Sequence, residues 1–189
     1  MTQLSTLEPA VGSLLVADPF MQDPHFERSV ILICKHDDEG TFGLVLNNRT
    51  DFNLSNALPN PEFEDFELFS GGPVLPEGLS LLHRIDSPDV GGLPVVPGVF
   101  CGGEIDFILD LVQRGLVDWK ELKFFFGYSG WEPGQLDREM KENSWTVHQN
   151  YNPDLLFLLE EEDLWKQTLI SMGPKYAHVA KFPKSPNWN

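Results

Sequence analysis

The chain has 189 residues, of which 41% are apolar, including 14 Phe and 5 Trp. That is enough chain for one domain with its own core, and the composition is not that of a disordered polymer. Lys and Arg number 13 against 29 Asp and Glu, a net charge of −16. This charge excludes direct nucleic-acid binding, which depends on basic side chains neutralising phosphates, and it repels anionic lipid surfaces.

The first basic residue is Arg28, so the N-terminus lacks the positive region of a secretory signal. Apolar stretches such as Val30–Cys34 fall far short of the roughly 20 residues that span a bilayer. Two cysteines, Cys34 and Cys101, do not make a disulfide framework, although the sequence leaves a single bridge between them open. A reduced, cytoplasmic protein is the expectation, with no membrane association.

Residues 13–17 are apolar and stop at Asp18-Pro19. Residues 29–34 are β-branched and predict a buried strand, and residues 41–46 predict its return. The turn cluster Asp37–Gly40 between them implies a hairpin with a six-residue loop, ended by Asn47-Asn48. Residues 50–67, with Pro59, Pro61 and five acidic residues, read as surface with a short helix near Leu54–Leu58. Ser70-Gly71-Gly72-Pro73 predicts a tight turn, Leu79–Ile85 a strand, and the Asp-, Gly- and Pro-rich residues 86–98 a loop.

In Glu104–Arg114, Ile105, Ile108, Leu109 and Val112 recur at helical spacing, and Gly115 suits the position just past the helix end. Leu122–Tyr128, with three consecutive Phe, predicts a strand inside the sheet. Pro133 opens a helix through Asn143 with Leu136 and Met140 inward, and Asn152-Pro153 opens another. Asp163–Met172 predicts a further helix that buries Leu164, Trp165, Thr168 and Leu169. The expected organisation is one domain over 1–174 and a poorly ordered Pro- and Lys-rich tail over 175–189. Strands early and helices late argue for an α+β fold.

Most catalytic templates fail on the residues themselves. Gly127-Tyr128-Ser129-Gly130-Trp131 resembles a nucleophile elbow, but Trp131 replaces the second glycine, so Ser129 reads as a turn serine. No P-loop or dinucleotide fingerprint is present. His36 with Asp37, Asp38 and Glu39 could hold a cation weakly or support metal-assisted hydrolysis, but reads better as a solvated hairpin tip. The run Glu160–Asp163 reads as a solvated face. No metal site and no cofactor are expected.

Two features carry further. Cys34 stands two residues before His36; if the strand runs on, thiol and imidazole share a face and the imidazole could acidify the thiol. The alternative is a small core residue. Cys101, before the helix at Glu104, is a weaker candidate of the same kind. Trp131 and Gln135 flank a helix start, either as a pocket lip or as a packing anchor. Asp23-Pro24 predicts a turn with Arg28 paired to a nearby carboxylate; functionally, the planar guanidinium of Arg28 suits an acidic group of a ligand.

These blocks also carry a resemblance. Ser13–Pro19, Gln22–Val30, Ile33–Gly40 and Gly43–Asn47 are followed by Gly71–Val74, Gly127–Trp131, Gly134–Leu136 and Trp145. Together they resemble the YqgE/AlgH family of bacterial proteins, from about residue 12 to about residue 173. Asn48-Arg49-Thr50 departs from the basic residue and Pro usual in the family, and Cys101 stands where one branch has an aromatic. The resemblance implies a mixed, mostly antiparallel sheet curled into a partial barrel with helices outside. It implies a fold more than an activity, since no enzymatic activity is established for the family as a whole, and some members bear the label of transcriptional regulator. It adds Asn47, Gly71 and Gly72 to Asp23, Arg28, Trp131 and Gln135 as ligand- or partner-binding candidates. The expected function is a regulatory or adaptor protein, monomeric or weakly oligomeric, working through a protein partner or small ligand rather than DNA. Thiol chemistry at Cys34 with His36 is the alternative.

Overall fold

The computed structural model describes residues 7–64, 66–158 and 164–182. In chain order the elements are β1 (Leu14–Ala17), β2 (Val30–Asp37), β3 (Gly40–Val45), β4 (Arg49–Asn53), α1 (Leu54–Ala57), β5 (Glu67–Ser70) and β6 (Val74–His83). There follow β7 (Leu93–Val96), β8 (Val99–Cys101), α2 (Ile105–Gln113), β9 (Leu122–Trp131), α3 (Gln135–Lys141), β10 (Trp145–His148), α4 (Leu164–Ser171) and α5 (Pro174–Val179). The strands form one sheet in the order β10-β1-β2-β3-β9-β6-β8-β7, with β4 joined through β5 to β9. All pairs are antiparallel except β5 with β9.

The long strand β9 pairs with β3, β5 and β6, which explains why apolar residues occupy both of its faces. On β2 the alternation sorts Val30, Leu32 and Cys34 into one core and Ile31 and Ile33 into another. The first core is covered by Leu156, Phe157 and the helical residues Leu164, Trp165 and Leu169. The second lies under α3, with Leu136 and Met140 against Trp131 and Trp145. A third core packs Ile108, Leu109 and Val112 of α2 on Leu68, Leu81 and Phe124.

The expected partial barrel is corrected: the sheet is open, with β10 and β7 as its ends. The apolar face that a barrel would turn on itself is capped instead by the C-terminal helices. The β2–β3 hairpin is also tighter than expected. Asp37 pairs with Gly40, so the turn holds only Asp38 and Glu39 rather than six residues. The cross-strand pairs Lys35–Phe42 and His36–Thr41 extend both strands to the tip.

Residues 86–98 are not all loop. They contain β7, which pairs with β8 across Pro97-Gly98. β7 is an edge strand, where Pro94 removes no required hydrogen bond. β10 is a second edge strand that periodicity did not reveal. The helix expected at Asn152-Pro153 is a 3-10 turn over Pro153–Phe157, capped where the Asp154 N–H donates to Asn152 Oδ1 at 3.0 Å.

The tail expected from 175 holds α5, and Ala180 is buried, because this segment packs on α4 and the first core. Glu160–Asp163 and residues 183–189 lie outside the described residues. Among the described residues no helix is long and apolar enough to cross a membrane.

Candidate functional site

Arg28 and Asn47 meet at one groove. Arg28 ends the loop before β2 with φ +53°, a left-handed conformation that is strained for a residue with a Cβ. Asn47, just after β3, holds it there. Its Nδ2 donates to the Arg28 carbonyl at 2.9 Å and its Oδ1 accepts from the Val30 N–H at 2.8 Å. The guanidinium lies over the Trp165 ring, 4.8 Å from its centroid, and Nη2 donates to the Phe182 carbonyl at 2.5 Å. Trp165 is itself fixed, buried and donating through Nε1 to the Ala17 carbonyl at 2.8 Å. Arg28 thus has an aromatic and a carbonyl for partners instead of the expected carboxylate.

The groove beside it has a volume of about 440 Å³; His25, Glu27, Arg28, Ser29, Asn48 and Lys166 line it together with Asn47. Two of its polar atoms, Arg28 Nε and Ser29 Oγ, are buried without a hydrogen-bond partner among the described residues, and Ser29 is only 3% exposed. Asp23 does not line this groove. Its Oδ1 accepts from the His25 N–H at 2.9 Å, which makes the expected turn and sets the loop that carries His25 to Arg28.

Trp131 and Gln135 belong to another cluster. Trp131 Nε1 and Trp145 Nε1 both donate to Glu139 Oε2, at 2.9 and 2.7 Å, and Gln135 Nε2 donates to Glu139 Oε1 at 2.9 Å. Phe26 packs on both indoles. Trp131 is therefore a packing anchor, 5% exposed, although its edge reaches an open groove of about 470 Å³ with Phe42, Val74 and Tyr128.

Gly71 and Gly72 line neither groove. A Cβ on Gly71 would meet the Gly127 carbonyl oxygen at 2.4 Å, and one on Gly72 would meet the Tyr128 carbonyl at the same distance. They let the β5–β6 connection press backbone to backbone on β9. Ser129 sits within that strand rather than on a turn, donating to the Gly71 carbonyl at 3.0 Å.

The Cys34–His36 pairing does not form. A register shift between Ile33 and Lys35 interrupts the alternation after Cys34. Cys34 enters the first core, 2% exposed, while His36 Nδ1 stands 2.7 Å from Thr41 Oγ1. Burial, then hydrogen bonding with Cys101, pushes the Cys34 thiol up, opposite to activation. Both cysteines are free and buried. Among the described residues no three His, Cys, Asp or Glu could hold a metal ion; at the hairpin tip, Asp37 and Glu39 pair with Lys35.

One apolar groove was not legible in the sequence. β6 bulges between Val74 and Leu79, and the bulged residues stand opposite β4 and α1. They enclose about 490 Å³ lined by Phe52, Ala57, Leu58, Pro76, Leu79 and Phe126, with Glu77 at the rim. Phe52 is 57% exposed, and neighbouring Leu75 is 66% exposed with φ +44°. β4 pairs only with β5, so among the described residues its other edge carries no strand. The signal was present as Phe52 and Leu75, but a single apolar residue in a polar stretch gives no period.

An open, mostly antiparallel sheet flanked by helices defines an α+β protein, and the comparisons give that architecture a family. The chain matches the AlgH-like family (DUF179) over residues 14–177 and belongs to it. A UPF0301 protein of Bacteroides thetaiotaomicron is 34% identical over 189 residues, covering 99% of this chain and 95% of that protein. One from Chlorobium limicola is 36% identical over 181 residues, covering 94% and 95%. The solution structure of AlgH from Pseudomonas aeruginosa aligns with a TM-score of 0.72 at 24% identity, covering 95% of this chain and 98% of that one. A crystal structure from Corynebacterium diphtheriae aligns with a TM-score of 0.75, also at 24% identity, covering 93% and 94%. These two likenesses concern fold alone.

Proposed function

We propose that this AlgH-like protein is a regulatory or adaptor protein that holds a protein partner and does not contact DNA. The observation that carries this reading is the Phe52 groove beside the free edge of β4. Leaving Phe52 and Leu75 in water, with Leu75 in a strained conformation, is unfavourable unless a partner covers them. A free strand edge recognises an extended segment through main-chain hydrogen bonds, while a groove beside it selects alternate side chains. Glu77 in the groove lining and Asp51 next to Phe52 in sequence, in a chain of net charge −16, favour an occupant with Lys or Arg between its apolar residues. The same charge opposes pairing of two copies at this edge. The free thiols accord with work in a reducing cytoplasm.

Fluorescence anisotropy with a labelled Lys-Val-Lys-Leu-Lys-Val peptide tests the reading, with Glu-Val-Glu-Leu-Glu-Val as comparison. The basic peptide is expected to bind and the acidic one not, with affinity falling about tenfold or more in Phe52→Glu and in Leu75→Glu. Equal binding of both peptides, or unchanged binding by both variants while circular dichroism shows them folded, would overturn it. So would sedimentation showing the edge occupied by a second copy.

A further inference from the structure

We propose that the Arg28 groove binds a small ligand through an oxyanion group, phosphoryl or carboxylate, at a site separate from the partner-docking edge.

A buried hydroxyl without a partner costs about 1–3 kcal/mol relative to a satisfied one. Ser29 Oγ is such a group, and Arg28 Nε is a cationic donor in the same condition. Arg28 and Ser29 line the same groove. Two polar groups of one groove without partners among the described residues fit a ligand that supplies oxygen atoms.

In a chain with net charge −16, the described lining of this groove brings Arg28 and Lys166 together with one carboxylate, Glu27. Local cationic character against that background favours an anion here.

The guanidinium is held from three directions: Asn47 fixes its backbone, Trp165 lies under its plane, and the Phe182 carbonyl takes Nη2. A donor already held in place loses little entropy on binding, and charge-assisted bonds to an oxyanion are stronger than neutral ones. Asn47 is then a positioning residue, which holds Arg28 without itself supplying charge. The loop shaped by Asp23 brings His25 to the rim.

The test is NMR titration of the full chain with inorganic phosphate, acetate and chloride at constant ionic strength, following the Arg28 side-chain Nε–H and the Ser29 and Val30 amides. Saturable shifts with phosphate or acetate, but not with chloride, are expected; the tighter of the two identifies a phosphoryl or a carboxylate source. Arg28→Gln should weaken binding about tenfold or more, and Ser29→Ala by several-fold, while Lys120→Ala, on a distant exposed turn, changes nothing. Ser29→Ala removes one unpartnered oxygen and keeps the fold even if Arg28→Gln does not. Shifts equal to those with chloride, or wild-type affinity in Ser29→Ala together with a folded Arg28→Gln, would overturn the proposal. Because the probes are inorganic and acetate ions, a negative result here leaves the peptide result at β4 untouched.

Discussion

A thiol enclosed by leucine and valine side chains keeps its proton, because the thiolate would lose its hydration without gaining a cation. Cys34 is in that position, with the Leu32 carbonyl at 3.7 Å, Cys101 and Tyr151 as polar company. His36 is turned to Thr41 by the irregularity in β2. Iodoacetamide is accordingly expected to leave Cys34 and Cys101 unlabelled in the native protein, even above the free-thiol value of about 8.5, and to label both on unfolding. Peptide mass spectrometry reads the two sites separately, and fast native labelling of Cys34 would revive thiol chemistry. The contrast with Arg28 is instructive. Both residues were candidates on side-chain chemistry alone; neighbours distant in sequence surround one with apolar atoms and leave the other facing a polar groove.

At the scale of elements, two irregular strands and one backbone pinch shape the surface. The bulge in β6 builds the Phe52 groove, and the one in β2 turns His36 away from Cys34. The pinch is where the β5–β6 connection lies on β9, and Gly72 shows how tight it is. Its φ is +146°, and an added Cβ would sit 2.4 Å from both the Tyr128 carbonyl and Ser129 Oγ. Gly72→Ala should therefore destabilise the fold by about 3 kcal/mol or more, since backbone must move. Gly115, past the end of α2 at φ +69°, has nothing within 4 Å of an added Cβ, so Gly115→Ala should cost only about 1 kcal/mol of strain. Urea denaturation of both variants checks the contrast; equal losses would mean the connection can relax, and Gly72 would return as a binding candidate.

For the whole molecule, pH reports on the buried imidazoles. His83 lies fully buried in the sheet and His148 nearly so, and burial lowers both below their ordinary value of about 6.5. Above that value both folded and unfolded chains carry neutral imidazoles, and their contribution to stability is complete. As pH falls below about 6.5 the unfolded chain takes up protons that the native chain refuses, so stability drops until the folded values are passed. Urea midpoints for wild type should fall between about pH 7.5 and about pH 5.5 more steeply than for the double variant His83→Gln, His148→Gln. Comparing the two cancels the background from the acidic surface; parallel curves would mean the imidazoles are solvated.

Composition, charge and periodicity by themselves determined that this is an acidic α+β domain, with α2, α3 and α4 burying the faces read from their spacing. Those features are local: a helix period or a charge total does not depend on which segments meet. The short motifs pointed to the family in the same way. Tertiary structure decided the rest. Edge strands β7 and β10 are four residues each, too short to establish a period. The sheet stays open because residues near the chain's end cover its face. Whether Arg28, Cys34 or Trp131 faces a ligand, a core or a carboxylate depended on Trp165, Cys101 and Glu139, residues that sequence spacing does not connect to them.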